Sequence, residues 1–300
     1  MLTNYHGWSN VAFLNNGLVE AVIVPATGRV LQFRFLGDAD GPFWENRTLD
    51  GRNASASSWE TEGSFGGDKA WPSPQSDWGW PPPTGFDGST NAITHSNGVV
   101  TLTTPVDTRY QIRTTRVIEL GFNEAVMRIR TTFVRTAATT WTNKELGVWV
   151  VTQLQEPVRC VVPVPARSVF SDGYTQLGNG MATQFRNTNG FISFSRDRSA
   201  SHKLGFDADS LVWVGTNLTL RIDAPRVRGL AKSDYPDNGS NTEVYTNPGA
   251  PYIEHEFLGP LSKLAVGGRM ELLTTCLLFR RVEADPETEA RRVLSRQAPG

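Results

Sequence analysis

The sequence predicts an all-β protein: an antiparallel sandwich or barrel with one short helix at its C-terminal end. Three observations carry this reading. A dozen or more short runs alternate in polarity or are rich in β-branched and aromatic residues. Glycine, proline and asparagine punctuate them, and long helical periodicity is missing. Many short strands separated by turn signals build sandwiches or barrels.

The runs follow in order. GLVEAVIVP and GRVLQFRFLG come first. NGVVTLTTP places Val99, Thr101 and Thr103 on one side and Val100 and Leu102 on the other. YQIRTTRVIEL follows, and AVMRIRTTFVR sets Met127, Ile129 and Phe133 opposite Val126, Arg128 and Arg130. KELGVWVVTQL, GFISFSR, SLVWVG, NLTLRID, TEVYTN, YIEHEFLG and MELLTTCLLFR complete the series. The helix is expected over residues 283 to 300. Asp285 suits its N-cap, Pro286 its first position, and acidic residues its first turn.

With 300 residues and no repeat or clear linker, the chain reads as a single domain, 1–300. Its 29 basic and 30 acidic side chains give a net charge of −1. That balance provides no footprint for nucleic acid and none for an anionic membrane. No apolar run is long enough for a transmembrane helix. MLTNYHGWSNVAF lacks the basic and apolar regions of a signal peptide, which predicts a cytoplasmic protein, or a periplasmic or secreted one if a leader was trimmed. Cys160 and Cys276 lie far apart and near no zinc-spaced cluster, so buried free thiols are expected. The chain shows no phosphate-binding loop, dinucleotide fingerprint or metal-binding His pair. No cofactor and no metal are therefore expected. Oligomeric state is left open.

Four segments concentrate polar and aromatic groups. GGDKAWPSPQSDWGWPPP, residues 66–83, holds three tryptophans and five prolines. That proline load argues against a helix or a central strand, so an irregular loop is expected. Either Trp71, Trp78 and Trp80 stiffen it, or they offer flat faces to sugar rings, with Asp68, Lys69 and Gln75 adding hydrogen bonds. WTNKELGVWVVTQL begins with Lys144 and Glu145 and then puts Trp149, Val151 and Gln153 on one face. A solvated strand end is the plainer reading of that Lys-Glu pair. YPDNGSNTEVYTN carries a turn with Asp237, Asn238 and Asn241, then Glu243 and Tyr245 on one face. YIEHEFLGPL sets Tyr252, Glu254 and Glu256 on one face and His255 on the apolar side. Two carboxylates roughly 7 Å apart along a strand can serve as base and partner.

Taken together these segments resemble an uncharacterised bacterial family, domain of unknown function 4380. The resemblance runs from about residue 10 to 280 through GRVLQFRFLG, GGDKAWPSPQ, NKELGVWVVTQL and YPDNGSNTEVYTNPG. That family in turn is similar to the aldose 1-epimerases, the galactose mutarotase-like proteins. The resemblance implies a galactose mutarotase-like β-supersandwich with a carbohydrate site in a concave face. It aligns Phe65 to Pro72 with a Gly-Gly loop of the sugar-phosphate mutarotases, whose arginine is absent here. It matches Asn143-Lys144 to an Asn-His pair whose histidine is the acid, and Glu254 to the general base.

The resulting expectation is a carbohydrate-binding, mutarotase-like epimerase. Glu254, Lys144 and Asp68 are its catalytic candidates. Lys69, Trp71, Gln75, Trp78, Trp80, Glu145, Gln153, Asp237, Asn241, Tyr245 and Glu256 would bind substrate. With the histidine missing, Lys144, Lys69 or Tyr245 would supply the proton. A sugar lyase or glycoside hydrolase, a non-catalytic carbohydrate-binding domain, and a sandwich that meets a protein partner through its aromatic loop stand as alternatives.

Overall fold

The structure is a computed structural model that describes residues 2–55, 63–178 and 180–297. Its strands in chain order are β1 (Leu2–Tyr5), β2 (Trp8–Asn15), β3 (Val19–Val24), β4 (Arg29–Phe35), β5 (Gly67–Ser73), β6 (Ala92–Ser96) and β7 (Val99–Thr103). Next come β8 (Ile112–Leu120), β9 (Val126–Arg135), β10 (Glu145–Gln155), β11 (Arg159–Pro163), β12 (Thr175–Gln176), β13 (Arg186–Thr188) and β14 (Phe191–Phe194). The series ends with β15 (His202–Phe206), β16 (Ser210–Val214), β17 (Leu218–Asp223), β18 (Thr242–Thr246), β19 (Tyr252–Leu258), β20 (Ser262–Lys263) and β21 (Arg269–Arg280). Every run read as a strand above forms one.

The strands build two antiparallel sheets. One is 11-stranded, in the order β1-β2-β3-β4-β5-β10-β19-β18-β15-β12, with β20 pairing β10 from the side. The other is 10-stranded, in the order β13-β14-β11-β16-β17-β21-β9-β8-β7-β6. They pack face to face. Phe33, Leu154, Ile253 and Phe257 of the first meet Ile118, Ile129, Trp213 and Leu278 of the second in one buried cluster. Cys160 and Cys276 lie in this core as free thiols. Two-residue Asn-Gly turns close the β6–β7 and β13–β14 hairpins, with positive φ at Asn97, Gly98, Asn189 and Gly190. That geometry suits the twist of paired strands.

The helix, α1 (Pro286–Leu294), is shorter than residues 283 to 300, of which 298–300 lie outside the described residues. Asp285 caps it by accepting from Thr288 N at 2.8 Å. Ala290 and Val293 pack on Val161, Val212 and Val214, covering the outer face of the 10-stranded sheet. Among the described residues no helix is long and apolar enough to cross a membrane.

One expectation fails. The segment Gly67–Ser73 is not irregular: it is β5, an inner strand between β4 and β10. Hydrogen-bonding edges alternate along antiparallel strands, which explains how Pro72 fits. Pro72 opposes Val148, whose carbonyl accepts from Gly259 on the far side of β10. The Pro72 nitrogen therefore faces away from β10, toward the side where β4 pairs with β5 only at Val30–Asp68. The Pro72 carbonyl, on that same edge, accepts the Trp78 indole N–H at 2.7 Å. Gly66 and Gly67, with φ of +93° and +68°, enter the strand where a Cβ would strike the Trp44 and Val30 carbonyls.

Candidate functional site

Period two gives each inner strand of the 11-stranded sheet one face toward the core and one away from it. The register aligns the outward residues in rows. Gln153 of β10 opposes Glu254 of β19, which opposes Tyr245 of β18, which opposes Lys203 of β15. In the next row Lys69 of β5 opposes Val151, which opposes Glu256, which opposes Glu243. A third row pairs Trp71 with Trp149. A cavity of about 470 Å³ opens over this lattice. Trp71, Trp80 and Trp149 bound it on one side, Tyr245 and Tyr252 on another, and Glu254 and Glu256 reach its floor.

Glu254 is held by a relay of hydrogen bonds. Gln153 Nε2 donates to Glu254 Oε1 at 2.9 Å, and Ser64 Oγ donates to Gln153 Oε1 at 2.5 Å. Arg29 Nη1 donates to Ser64 Oγ at 3.0 Å, and its Nη2 reaches both Asp87 oxygens at 2.8 Å. Asp87 also accepts the Trp71 indole N–H at 2.8 Å, so the same relay orients an aromatic wall of the cavity. Lys69 Nζ lies 3.5 Å from Glu254 and 4.8 Å from the Trp71 ring centroid. Burial lowers the Lys69 pKa to about 8; the Arg29 charge adds to that, while Glu254 opposes it.

A second charged group sits one row on. Lys203 Nζ lies 2.7 Å from Glu243, 3.0 Å from Glu256 and 4.6 Å from the Trp149 ring centroid. Burial works against the Lys203 charge, but the two glutamates outweigh it and hold its pKa above the ordinary value. Burial pushes the Glu243 carboxyl well up and the Glu256 carboxyl up, with Lys203 opposing in both cases. The Tyr245 and Tyr252 phenols are raised too, first by burial and then by Glu254. Tyr252 packs against Trp44 with the rings tilted and their centroids 4.6 Å apart, and accepts from Asn247 Nδ2 at 3.0 Å.

Of the residues expected here, Glu254, Trp71, Gln75, Trp80, Gln153, Tyr245 and Glu256 line the cavity. Lys69 lies beneath them, 2% exposed. The others are elsewhere. Asp68 points into the space between the sheets, where it pairs with Arg116 and accepts from Thr152 Oγ1 at 2.6 Å. It cannot act in a cavity on the opposite face. Lys144 is exposed, 4.2 Å from the Trp141 ring centroid and 3.3 Å from Asp77, and cannot deliver a proton there. Glu145 is an exposed strand end opposite Lys263. Trp78 is buried against Trp71 and Trp149 rather than offered to a ligand. Asp237 shapes a turn with positive φ, and Asn241 is buried, donating to the Ala208 carbonyl at 2.8 Å. His255 is enclosed in the core beside Cys160, as its place on the apolar face predicts, and burial lowers its pKa to about 3.

The sequence reading left Lys203, Tyr252 and Trp149 outside the candidate set. Tyr252 shares a strand face with Glu254 and Glu256, and Trp149 shares one with Gln153, which is the signal that marks them. Lys203 lies in HKLGF, five residues with no motif, and only the pairing of β15 with β18 brings it to Glu243. Ser64, which orients Gln153, comes from the connection before β5 and carries no sequence signal.

No protein-family model matches the chain, so the resemblance to domain of unknown function 4380 is without support. No curated protein matches it either. Solved structures do. A galactose mutarotase-like protein from Lactobacillus casei ATCC 334 is 11% identical, with a TM-score of 0.58 over 90% of this chain and 100% of its own. A galactose mutarotase related enzyme from Lactobacillus acidophilus is 9% identical, with a TM-score of 0.55 over 90% and 97%. A TPR-domain containing protein from Parabacteroides distasonis is 12% identical, with a TM-score of 0.57 over 95% of this chain and 48% of its own. The chain has a galactose mutarotase-like fold.

Proposed function

We propose that the protein binds a sugar in the cavity over β5, β10, β19, β18 and β15 and interconverts its anomers, with Glu254 as general base. One observation carries this reading: a carboxylate anchored by a buried relay reaches a sugar-sized cavity walled by three tryptophans. Indole faces suit the C–H faces of a pyranose. Gln153, Tyr245 and Lys203 line the same cavity and can hydrogen-bond its hydroxyls. A fixed base within reach of a hydroxyl contributes about 10²- to 10⁴-fold to such a proton transfer. The structural neighbours support the reading at the level of fold. The geometry around Glu254 is what supports catalysis and the choice of base.

The test separates catalysis from binding. Tryptophan fluorescence titrated with a panel of sugars reports binding, and NMR exchange between anomers reports turnover. Glu254→Gln is expected to keep sugar affinity within a few-fold and to lose about 10²-fold or more of the exchange rate. Full exchange by Glu254→Gln would overturn the assignment. Binding without exchange by the wild-type protein would make it a carbohydrate-binding module instead.

A further inference from the structure

Glu243 and Glu256 stand directly opposite each other on β18 and β19. They are 0% and 1% exposed. Like charges opposite one another across strands repel, and a buried carboxylate is costly unless compensated. One ammonium, Lys203, contacts both. Two carboxylates against one ammonium leave a surplus negative charge in a place water barely reaches. The neighbouring strands do not cancel it. Glu254 on β19 and Asp237 before β18 add to it, while Lys69 on β5 is engaged by Glu254. Val151 on β10 and Tyr245 on β18 bring no positive charge. The least costly remedy is one proton held by the two carboxyls together. The partners differ in access, because Glu256 lines the cavity and Glu243 does not.

We propose that Glu243 and Glu256 share one proton at neutral pH under the clamp of Lys203, and that Glu256 is the acid that hands it to the ring oxygen of the sugar. This rests on the mutarotase-like reading of the cavity. The step balances. Glu254 takes the proton of the anomeric hydroxyl, the bond from C1 to the ring oxygen breaks, and its electron pair goes to that oxygen, which takes the proton of Glu256. The open-chain aldehyde turns about C1–C2. Reclosure returns the hydroxyl proton to Glu256 and the Glu254 proton to the new anomeric oxygen, so nothing is consumed. Lys203 is too firmly protonated to be the donor. It stabilises the Glu256 anion left after transfer. Glu243 acts through Glu256 and is a positioning residue. Burial raises both carboxyls, in agreement with the geometry.

The experiment is the pH profile of kcat/KM for anomer exchange. The wild-type alkaline limb marks loss of the shared proton. In Glu243→Gln, Lys203 faces a single carboxylate, so Glu256 ionises at lower pH. The alkaline limb is expected to move down by about one pH unit or more, while the acid limb is expected to stay where it is. A Glu243 that only supports the fold would lower activity evenly at every pH, and an unmoved alkaline limb overturns the proposal. Should that variant fail to fold, carbon-13 NMR titration of the wild-type carboxyl carbons decides. One of the pair is expected to titrate well above the ordinary carboxylate range, and ionisation of both within that range overturns the shared proton. If the wild-type protein exchanges no anomers at all, the mutarotase reading falls while the titration still tests the proton.

Discussion

Asp68 and Lys69 are chain neighbours, as are Glu254 and His255, yet each pair is split between two environments. Asp68 and His255 face the space between the sheets, and Lys69 and Glu254 face the cavity. On the inner side each charge is matched within the fold: Asp68 has Arg116 and Thr152, and His255 stays neutral beside Cys160. On the outer side the charges are held but incompletely compensated, with Lys69 depressed to about 8 and Glu243 and Glu256 raised. Perturbed carboxyls gathered at a cavity mark a place where protons can move. The same strands thus carry one face whose charges are matched and one whose charges are not, one residue apart.

That contrast can be broken from either side. The largest effect is expected from Asp68→Ala, which leaves Arg116 buried and uncompensated. Loss of one partner of a buried pair costs about 3–5 kcal/mol, so chemical denaturation is expected to show that loss. Anomer exchange per folded molecule is expected to change little. A catalytic Asp68 would give the reverse, a stable protein without turnover.

His255 sets the next effect, through pH. Its folded-state pKa is lowered from 6.5 to about 3. A depressed folded value means the stabilisation is fully present above the unfolded pKa and is lost as pH falls from 6.5 through about 3. The expected slope from this one group is up to about 1.4 kcal/mol per pH unit. His255→Leu is expected to flatten the acid side of a plot of unfolding free energy against pH, and an unchanged slope would assign the loss to other groups.

On the outer face the aromatic effects are smaller. Trp80 is 55% exposed at the cavity edge, whereas Trp71 and Trp78 are packed together. Trp80→Ala is expected to weaken sugar binding by about 0.5–1.5 kcal/mol, read by calorimetric titration, with little change in melting temperature. The smallest effect is Lys144→Ala. Its exposed pairing with Asp77 contributes about 0–1 kcal/mol, and exchange is expected to stay within two-fold, roughly, of wild type. A large loss of exchange there would move the acid out of the cavity.

Much of this contrast was legible in the sequence. Period-two alternation in YIEHEFLGPL separates Glu254 and Glu256 from His255, and the same rule groups Trp149 with Gln153. Asp285 and Pro286 mark the helix start because capping chemistry is local. What stayed hidden depended on pairing between distant strands. Lys203 has meaning only once β15 lies beside β18. Asp68 was misplaced because Pro72 argued against a strand, and without a strand there is no alternation to set it opposite Lys69. Pro72 is tolerated because β4 leaves that edge of β5 open beyond Val30, a fact of sheet topology. Asn143-Lys144 shows the limit of matching by resemblance: the matched lysine stands outside the cavity altogether.

The central claim is that the outer face holds the reacting sugar between Glu254 and Glu256. A crystal structure of the Glu254→Gln variant soaked with a sugar that it binds in solution tests this most directly. The expected result is a pyranose beside Trp149 and Trp80, its anomeric hydroxyl on Gln at position 254 and its ring oxygen on Glu256. A sugar bound away from both positions would contradict the account.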